Sequence, residues 1–334
     1  MDFAQKRKQQ NKIRSLGDLK REGKVNKANK ANPKFVNGPV EFDCLTEKWS
    51  RGEVLGVVAD SGSGKTEVVL YSAKSILKNN PNGVFVFVSL EMTTQKIYDR
   101  WEDITQDCPE LMDRFYIVSR YDDEGKPEDI SMGWILQKLV MHKQTLGDVI
   151  SFAIDHLHII GENDATQLNS IVFKVKEMAV ELNAFGILLA QVSKGHGQKG
   201  EVPLSADAVY GCSQFKWACT DIIQIHRPIK RLEGDAGISV MAWGYAKIRE
   251  PKKNDKVKEG INKLLLYDLD GRKFRQLTND EKMTFKHYYD ILVEIKQQEE
   301  KFKAYSYDTS TEVVAPNGKV ISIPSKTGFT GNEI

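Results

Sequence analysis

Val54-Leu55-Gly56-Val57-Val58-Ala59-Asp60-Ser61-Gly62-Ser63-Gly64-Lys65-Thr66 decides the fold. An apolar run leads into a glycine loop that closes on Gly-Lys-Thr, and Val68, Val69, Ala73, Ile76 and Leu77 then recur on one helical face. Strand, glycine loop, helix is the setting a phosphate-binding loop needs. Ala59, Ser61, Gly62, Ser63 and Gly64 supply backbone that can turn its N–H groups inward around phosphate oxygens. Lys65 can reach the β- and γ-phosphates, and Thr66 can hold Mg²⁺. The helix beginning near Thr66 aims its positive end at the same anion. The usual first glycine of such a loop is Ala59 here, and alanine serves wherever φ is negative.

Outward from the loop, apolar runs alternate with helical patterns. Val84–Val88 reads as a strand buried on both faces. Thr93–Ile104 follows as helix, Phe115–Val118 as strand and Ile130–Val140 as helix. Val149–Ile154 is a buried strand ending at Asp155. Leu168, Ile171, Val172, Val175, Ala179 and Leu182 mark a long helix, and Phe185–Ala190 a strand ending at Gln191. Beyond it Ile222–Ile225, Ile238–Trp243 and Leu264–Tyr267 read as strands without helices between them, so that end is expected to be antiparallel. Met283, Tyr288, Ile291, Leu292 and Ile295 mark a final helix. The expected class is α/β, with a mainly parallel central sheet, helices on both faces and antiparallel strands toward the C-terminal end.

The chain has 334 residues, 40% hydrophobic and 28% charged, the balance of a globular protein with one large core or two modest ones. No apolar run approaches the ~18 residues of a membrane span, and no secretory segment opens the chain. Cys44, Cys108, Cys212 and Cys219 show no metal-ligand spacing and read as reduced thiols of a cytosolic protein. Net charge is +2, yet residues 1–34 hold eleven Lys/Arg against three acids. A local basic arm on a near-neutral body fits a polyanionic partner. Within that arm Ile13, Leu16 and Leu19 have the spacing of a short docking helix, ended by Gly23 and Pro33. The expected organisation is a basic arm over 1–34, a core over 35–278, a C-terminal helix over 279–303 and a loosely ordered polar tail over 304–334.

In a parallel sheet, ligands gather at the carboxyl ends of the strands, so the polar residues ending those strands are the candidate chemistry. Asp155 can organise Mg²⁺ through a water, opposite Thr66. Glu91, after Val88-Ser89-Leu90, has two readings: a carboxylate that orients and deprotonates an attacking water, or an acid stabilised by a helix start. Gln191 can donate to a γ-phosphate and sense its loss. Ser193–Gly200 is glycine-rich and basic, suited to present Lys194 and Lys199 to a phosphate backbone. His156 and His158 flank Leu157 with no third metal ligand evident in the sequence.

These residues carry a resemblance. Ser89-Leu90-Glu91-Met92, Ile154-Asp155-His156-Leu157-His158-Ile159, Leu189-Ala190-Gln191-Val192, Thr220-Asp221-Ile222-Ile223 and Ala246-Lys247-Ile248-Arg249 resemble, in order over residues 42–277, the motifs of DnaB-family replicative helicases. The resemblance implies a RecA-like P-loop NTPase core using ATP and Mg²⁺, assembled as a ring hexamer on single-stranded DNA. It implies Glu91 as catalytic base, Gln191 as sensor, Asp155 in the Mg²⁺ shell, and Lys247 and Arg249 as groups inserted across a subunit boundary. The loops near Gly161–Thr166 and Lys194–Ala206 would face the central channel. A primase, loader or polymerase is the kind of protein partner implied, and the cytoplasm of a bacterium or phage-infected cell the compartment. The chain departs from the family where residues 1–34 stand in place of its helical amino-terminal domain, at Glu250-Pro251, and over Tyr210–Cys219. A compact phage-type member is therefore expected. The same loop also serves RecA-like recombination ATPases that act as filaments, and helicase-loading ATPases.

Overall fold

The computed structural model describes residues 50–121, 126–127, 131–160, 165–192, 209, 214–229, 238–248, 260–268, 273–276, 280, 311–314 and 320–323. In chain order the elements are β1 (Val54–Ala59), α1 (Lys65–Asn79), β2 (Gly83–Ser89), α2 (Thr94–Ile104), a 3-10 helix (Pro109–Arg114), β3 (Phe115–Ser119), α3 (Met132–Leu146), β4 (Asp148–Asp155), α4 (Leu157–Ile160), α5 (Ala165–Leu182), β5 (Phe185–Gln191), α6 (Phe215–Ala218), β6 (Asp221–Ile229), β7 (Ile238–Ile248), β8 (Gly260–Asp268), β9 (Lys273–Gln276), β10 (Thr311–Val314) and β11 (Val320–Ile323). Nine strands hydrogen-bond in the order β3-β2-β4-β5-β1-β6-β7-β8-β9. The chain divides into two compact units.

The first unit holds residues 1–55, 68–155 and 171–188. Within it β2 pairs parallel to both β3 and β4, and β4 parallel to β5. β2 is buried along its whole length, and β4 everywhere but its first residue, which is why their sequences are continuous apolar runs. The connections β2→β3 and β3→β4 run in opposite directions across the sheet. Right-handed crossovers therefore set α2 on one face and α3 on the other. The core centres on Phe115: Trp101 of α2 stacks on it with ring centroids 4.0 Å apart, and Phe85 and Phe87 lie 5.7 and 6.1 Å away. α3 starts where Ser131 accepts a hydrogen bond from the Trp134 N–H, a side-chain cap for an otherwise unsatisfied donor.

The amino-terminal edge of this unit is stitched by several bonds. The Arg51 guanidinium makes a two-pronged pair with the Asp148 carboxylate. The Gly52 N–H donates to Ala184 O and the Gly186 N–H to Glu53 O, both at 2.9 Å, and the Lys176 ammonium donates to Gly52 O at 2.7 Å. Residues 52–53 thus lie beside the start of β5, so β1 sets out alongside β5 in the same direction. Arg114 closes the far end of α1: its guanidinium donates to Leu77 O at 2.6 Å, Asn80 O at 2.7 Å and Gly83 O at 3.0 Å. A cation at the negative end of a helix is favourably placed.

The second unit holds residues 56–67, 156–170 and 189–334. β6, β7, β8 and β9 form antiparallel pairs, as the lack of helical spacing between them predicts. They run longer than the apolar cores that announce them, nine, eleven and nine residues for β6, β7 and β8. Register shifts interrupt β6/β7 at Ile222/Ile223 and at His226/Ile229. β10 and β11 pair antiparallel inside the stretch expected to be a polar tail. The expected docking helix of residues 1–34 and nearly all of the C-terminal helix expected over 279–303 lie outside the described residues. Among the described residues, no helix is long and apolar enough to cross a membrane.

Candidate functional site

The glycine loop sits where the sequence sets it. β1 ends at the fully buried Ala59, and α1 begins at Lys65. Between them the backbone turns tightly. The Ser61 N–H donates to Asp60 Oδ1 at 3.0 Å and the Ser63 N–H to Asp60 O at 3.3 Å. Gly62 and Gly64 have φ of +72° and +88°, a region that side chains with a Cβ avoid. Those two conformations turn the loop back toward the helix start. Lys65 is buried, and its ammonium donates to Ala59 O at 3.0 Å and Asp60 O at 2.9 Å. The cation therefore lies within the loop, beside the unsatisfied N–H groups of the first turn of α1. Thr66 is half-buried next to it. Positive charge and inward N–H groups together make an anion-binding concavity.

In the first unit, Ser89 at the end of β2 lies opposite Asp155 at the end of β4. The Leu90 N–H donates to Asp155 O at 2.9 Å, the Ser89 hydroxyl to Met92 O at 2.6 Å and the Arg120 N–H to Ser89 O at 3.0 Å. These bonds fix the turn that carries Glu91. Glu91 is exposed and Asp155 buried, and they bring carboxylate oxygens within 4.8 Å of one another. Two hard oxygen donors at this separation suit a hydrated Mg²⁺, so the donor set fits the ion that the sequence implies.

In the second unit Gln191 ends β5, half-buried, with its N–H directed at His158 Nδ1 at 3.5 Å. His158 and His156 are buried, with ring centroids 5.8 Å apart. Asp221, buried, opens β6. Lys247 on β7 is half-buried, and its ammonium donates to Lys216 O and to Cys219 O, the latter at 2.7 Å. The family resemblance gave Lys247 a place across a subunit boundary; in this chain its ammonium is bonded at home. Arg249, Lys194, Lys199, most of the loop over Gly161–Thr166, and nearly all of the loop over Lys194–Ala206 lie outside the described residues.

Three contributors escape sequence reading. Met241 of β7 lies against the loop, its Cε 2.7 Å from where a Cβ on Gly64 would stand. Arg114 caps α1 from a short 3-10 helix. Ser89 braces the Glu91 turn by bonding Met92 O. Only Ser89 had a local signal, as a hydroxyl two residues before a candidate base.

Neither a protein-family model nor a curated protein matches the chain. Among solved structures, the ATPase domain of a phage DnaB-like helicase matches over 80% of this chain and 100% of that one, with a TM-score of 0.58 and 19% identity. At that identity the likeness is one of fold. It agrees with the α/β architecture, parallel strands followed by antiparallel ones, that the sequence predicts.

Proposed function

We propose that this chain is an Mg²⁺-dependent ATP hydrolase of the DnaB type, which assembles as a ring and moves along single-stranded DNA. The observation that carries the hydrolase reading is the glycine loop closing on a buried Lys65 at the start of α1. Support for the narrower reading comes from the ordered strand-end motifs and from the fold shared with the phage helicase ATPase domain.

In this reading the loop N–H groups and Lys65 bind the β- and γ-phosphates, Lys65 exchanging its bonds to Ala59 O and Asp60 O for phosphate oxygens. Thr66 and Asp155 hold Mg²⁺, Asp155 through water. The bound ion supplies charge neutralisation on the phosphate oxygens. Glu91 orients a water toward the γ-phosphorus and takes its proton as the P–O bond to the leaving diphosphate breaks. Gln191 reports loss of the γ-phosphate to the chain beyond β5. Arg249 of a neighbouring copy stabilises the charge that develops in the transition state. Lys194 and Lys199 contact the DNA backbone, so affinity falls steeply with salt and varies little with sequence.

The test is ATP hydrolysis by the full chain with Mg²⁺, with and without a single strand, beside Lys65→Ala. Expected are hydrolysis stimulated by the strand, its loss in the variant, and closed rings by electron microscopy with a non-hydrolysable analogue. Filaments would move the protein to the recombination class, and a parent without hydrolysis would overturn the enzyme reading.

A further inference from the structure

We infer that Lys247 is a positioning residue for the phosphate loop of its own chain. The path is built from contacts within the second unit. Lys247 donates to Lys216 O and Cys219 O, the carbonyls around the end of α6. That one-turn helix is closed by the Cys219 N–H on Phe215 O at 3.1 Å, so its carbonyls present a partial negative charge that an ammonium satisfies. Phe215 and Cys219 are both fully buried and lie against β1: a Cβ on Gly56 would stand 2.4 Å from Phe215 Cε1 and 3.1 Å from Cys219 Sγ. The ring rests directly on the backbone of the strand that leads into the loop. The other contact lies six residues back along β7, roughly 20 Å away in an extended strand. There the fully buried Met241 presses its Cε on Gly64. β7 thus touches the segment Gly56–Gly64 at both ends, through Met241 at the loop and through Lys247 and α6 at the strand. With Lys247 fastened, a shift of β7 is passed to both ends of that segment together.

This inference rests on the reading of the loop as a nucleotide site, and it gives Lys247 a role within its own subunit rather than across a boundary. The first measurement is binding of a fluorescent ATP analogue to the full chain. Lys247→Met keeps the aliphatic stem and loses the donors. Its affinity is expected to fall about tenfold, the scale of one to two charge-assisted hydrogen bonds partly transmitted to the loop. Lys247→Arg, which keeps donors, is expected to recover part of that loss. Met241→Ala, which leaves the Lys247 bonds in place, interrupts the other contact and is also expected to weaken binding, so the path is testable even if Lys247→Met does not fold. Parental affinity in a folded Lys247→Met or in Met241→Ala overturns the inference.

The second measurement is mixing. Lys65→Ala subunits mixed with Lys247→Met subunits contain no intact loop if Lys247 acts on its own chain, so hydrolysis stays lost. Recovery of hydrolysis would place Lys247 across the boundary and overturn the inference. Lys65→Ala mixed with Arg249→Ala is the companion: recovery there supports the shared site of the proposed function, and its failure removes that shared site without touching the affinity result. A parent that binds no nucleotide overturns both readings together.

Discussion

Gly64→Ala is the most discriminating perturbation of the loop, because its neighbour Gly62 supplies the control. Both glycines have positive φ, +72° at Gly62 and +88° at Gly64, and forcing a Cβ into that region costs about 1–2 kcal/mol at either place. At Gly62 the added methyl meets nothing within 4 Å, so the conformational cost is the whole cost. At Gly64 the methyl stands 2.7 Å from Met241 Cε, about 1 Å closer than ordinary carbon contact. The Met241 end is flexible but fully buried, so yielding adds about 1–2 kcal/mol of overpacking. Gly64→Ala should therefore destabilise by about 2–4 kcal/mol against about 1–2 for Gly62→Ala. Urea unfolding of both variants, of Met241→Ala and of the Gly64→Ala/Met241→Ala double variant measures this. The double variant should be less destabilised than the sum of its singles by about 1–2 kcal/mol, the contact term alone. Equal losses at Gly62 and Gly64, or zero coupling in the cycle, would refute the reasoning.

Glu91→Gln keeps the shape of the side chain and loses the base, so turnover should fall by at least ~10² while the nucleotide still binds; parental turnover in single-turnover assays removes Glu91 from the chemistry. Arg114→Met deletes three donors to the carbonyls at the end of α1 and should cost about 2–3 kcal/mol, read as a lower urea midpoint at unchanged slope; an unchanged midpoint would show the cap to be idle. The Asp107 carboxyl is held well below the usual carboxylate range, first by its hydrogen bond from the Lys74 ammonium and also by Lys78. A depressed value means stability that is present above about pH 4, the unfolded carboxylate range, and is lost as pH falls toward the folded value. The side chain is 59% exposed, so solvent limits the contribution to about 0.2–1 kcal/mol. Unfolding from pH 6 to pH 3 should show the advantage of the parent over Asp107→Asn shrinking in acid, and a difference that ignores pH would count against the pair.

What was legible in the sequence is what is encoded locally. The loop announces itself because Gly62 and Gly64 must adopt conformations that few residues accept, and because Lys65 and Thr66 follow at fixed offsets. β2, β4 and β5 were legible because burial on both faces leaves no polar positions, and the helix from Leu168 to Leu182 because its apolar face repeats at helical spacing. Glu91 and Asp155 were found as the polar ends of those strands, and the structure brings their carboxylates together. Contacts between distant segments were not legible. Lys247 to Cys219 O, Met241 to Gly64 and Arg114 to Leu77 O join residues 28, 177 and 37 positions apart, and no local pattern marks them. The β10–β11 pair did have a signal that composition hid: Asn317-Gly318 stands between the β-branched runs Val313-Val314 and Val320-Ile321, a hairpin arrangement.

The bonds at the amino-terminal edge of the first unit have a mechanical consequence. Tension applied through residues 1–49 enters the described structure at residue 50, and the next residues it meets are the clamp: Arg51 on Asp148, Gly52 bonded to Ala184 and Lys176, Glu53 bonded to Gly186. These bonds tie the segment sideways to β4, β5 and α5 before β1 begins. A pull along the chain loads them in shear, several at once, and they must fail before force reaches Val54. The clamp is a strain relief, isolating the glycine loop at the far end of β1 from whatever tugs on the amino-terminal arm.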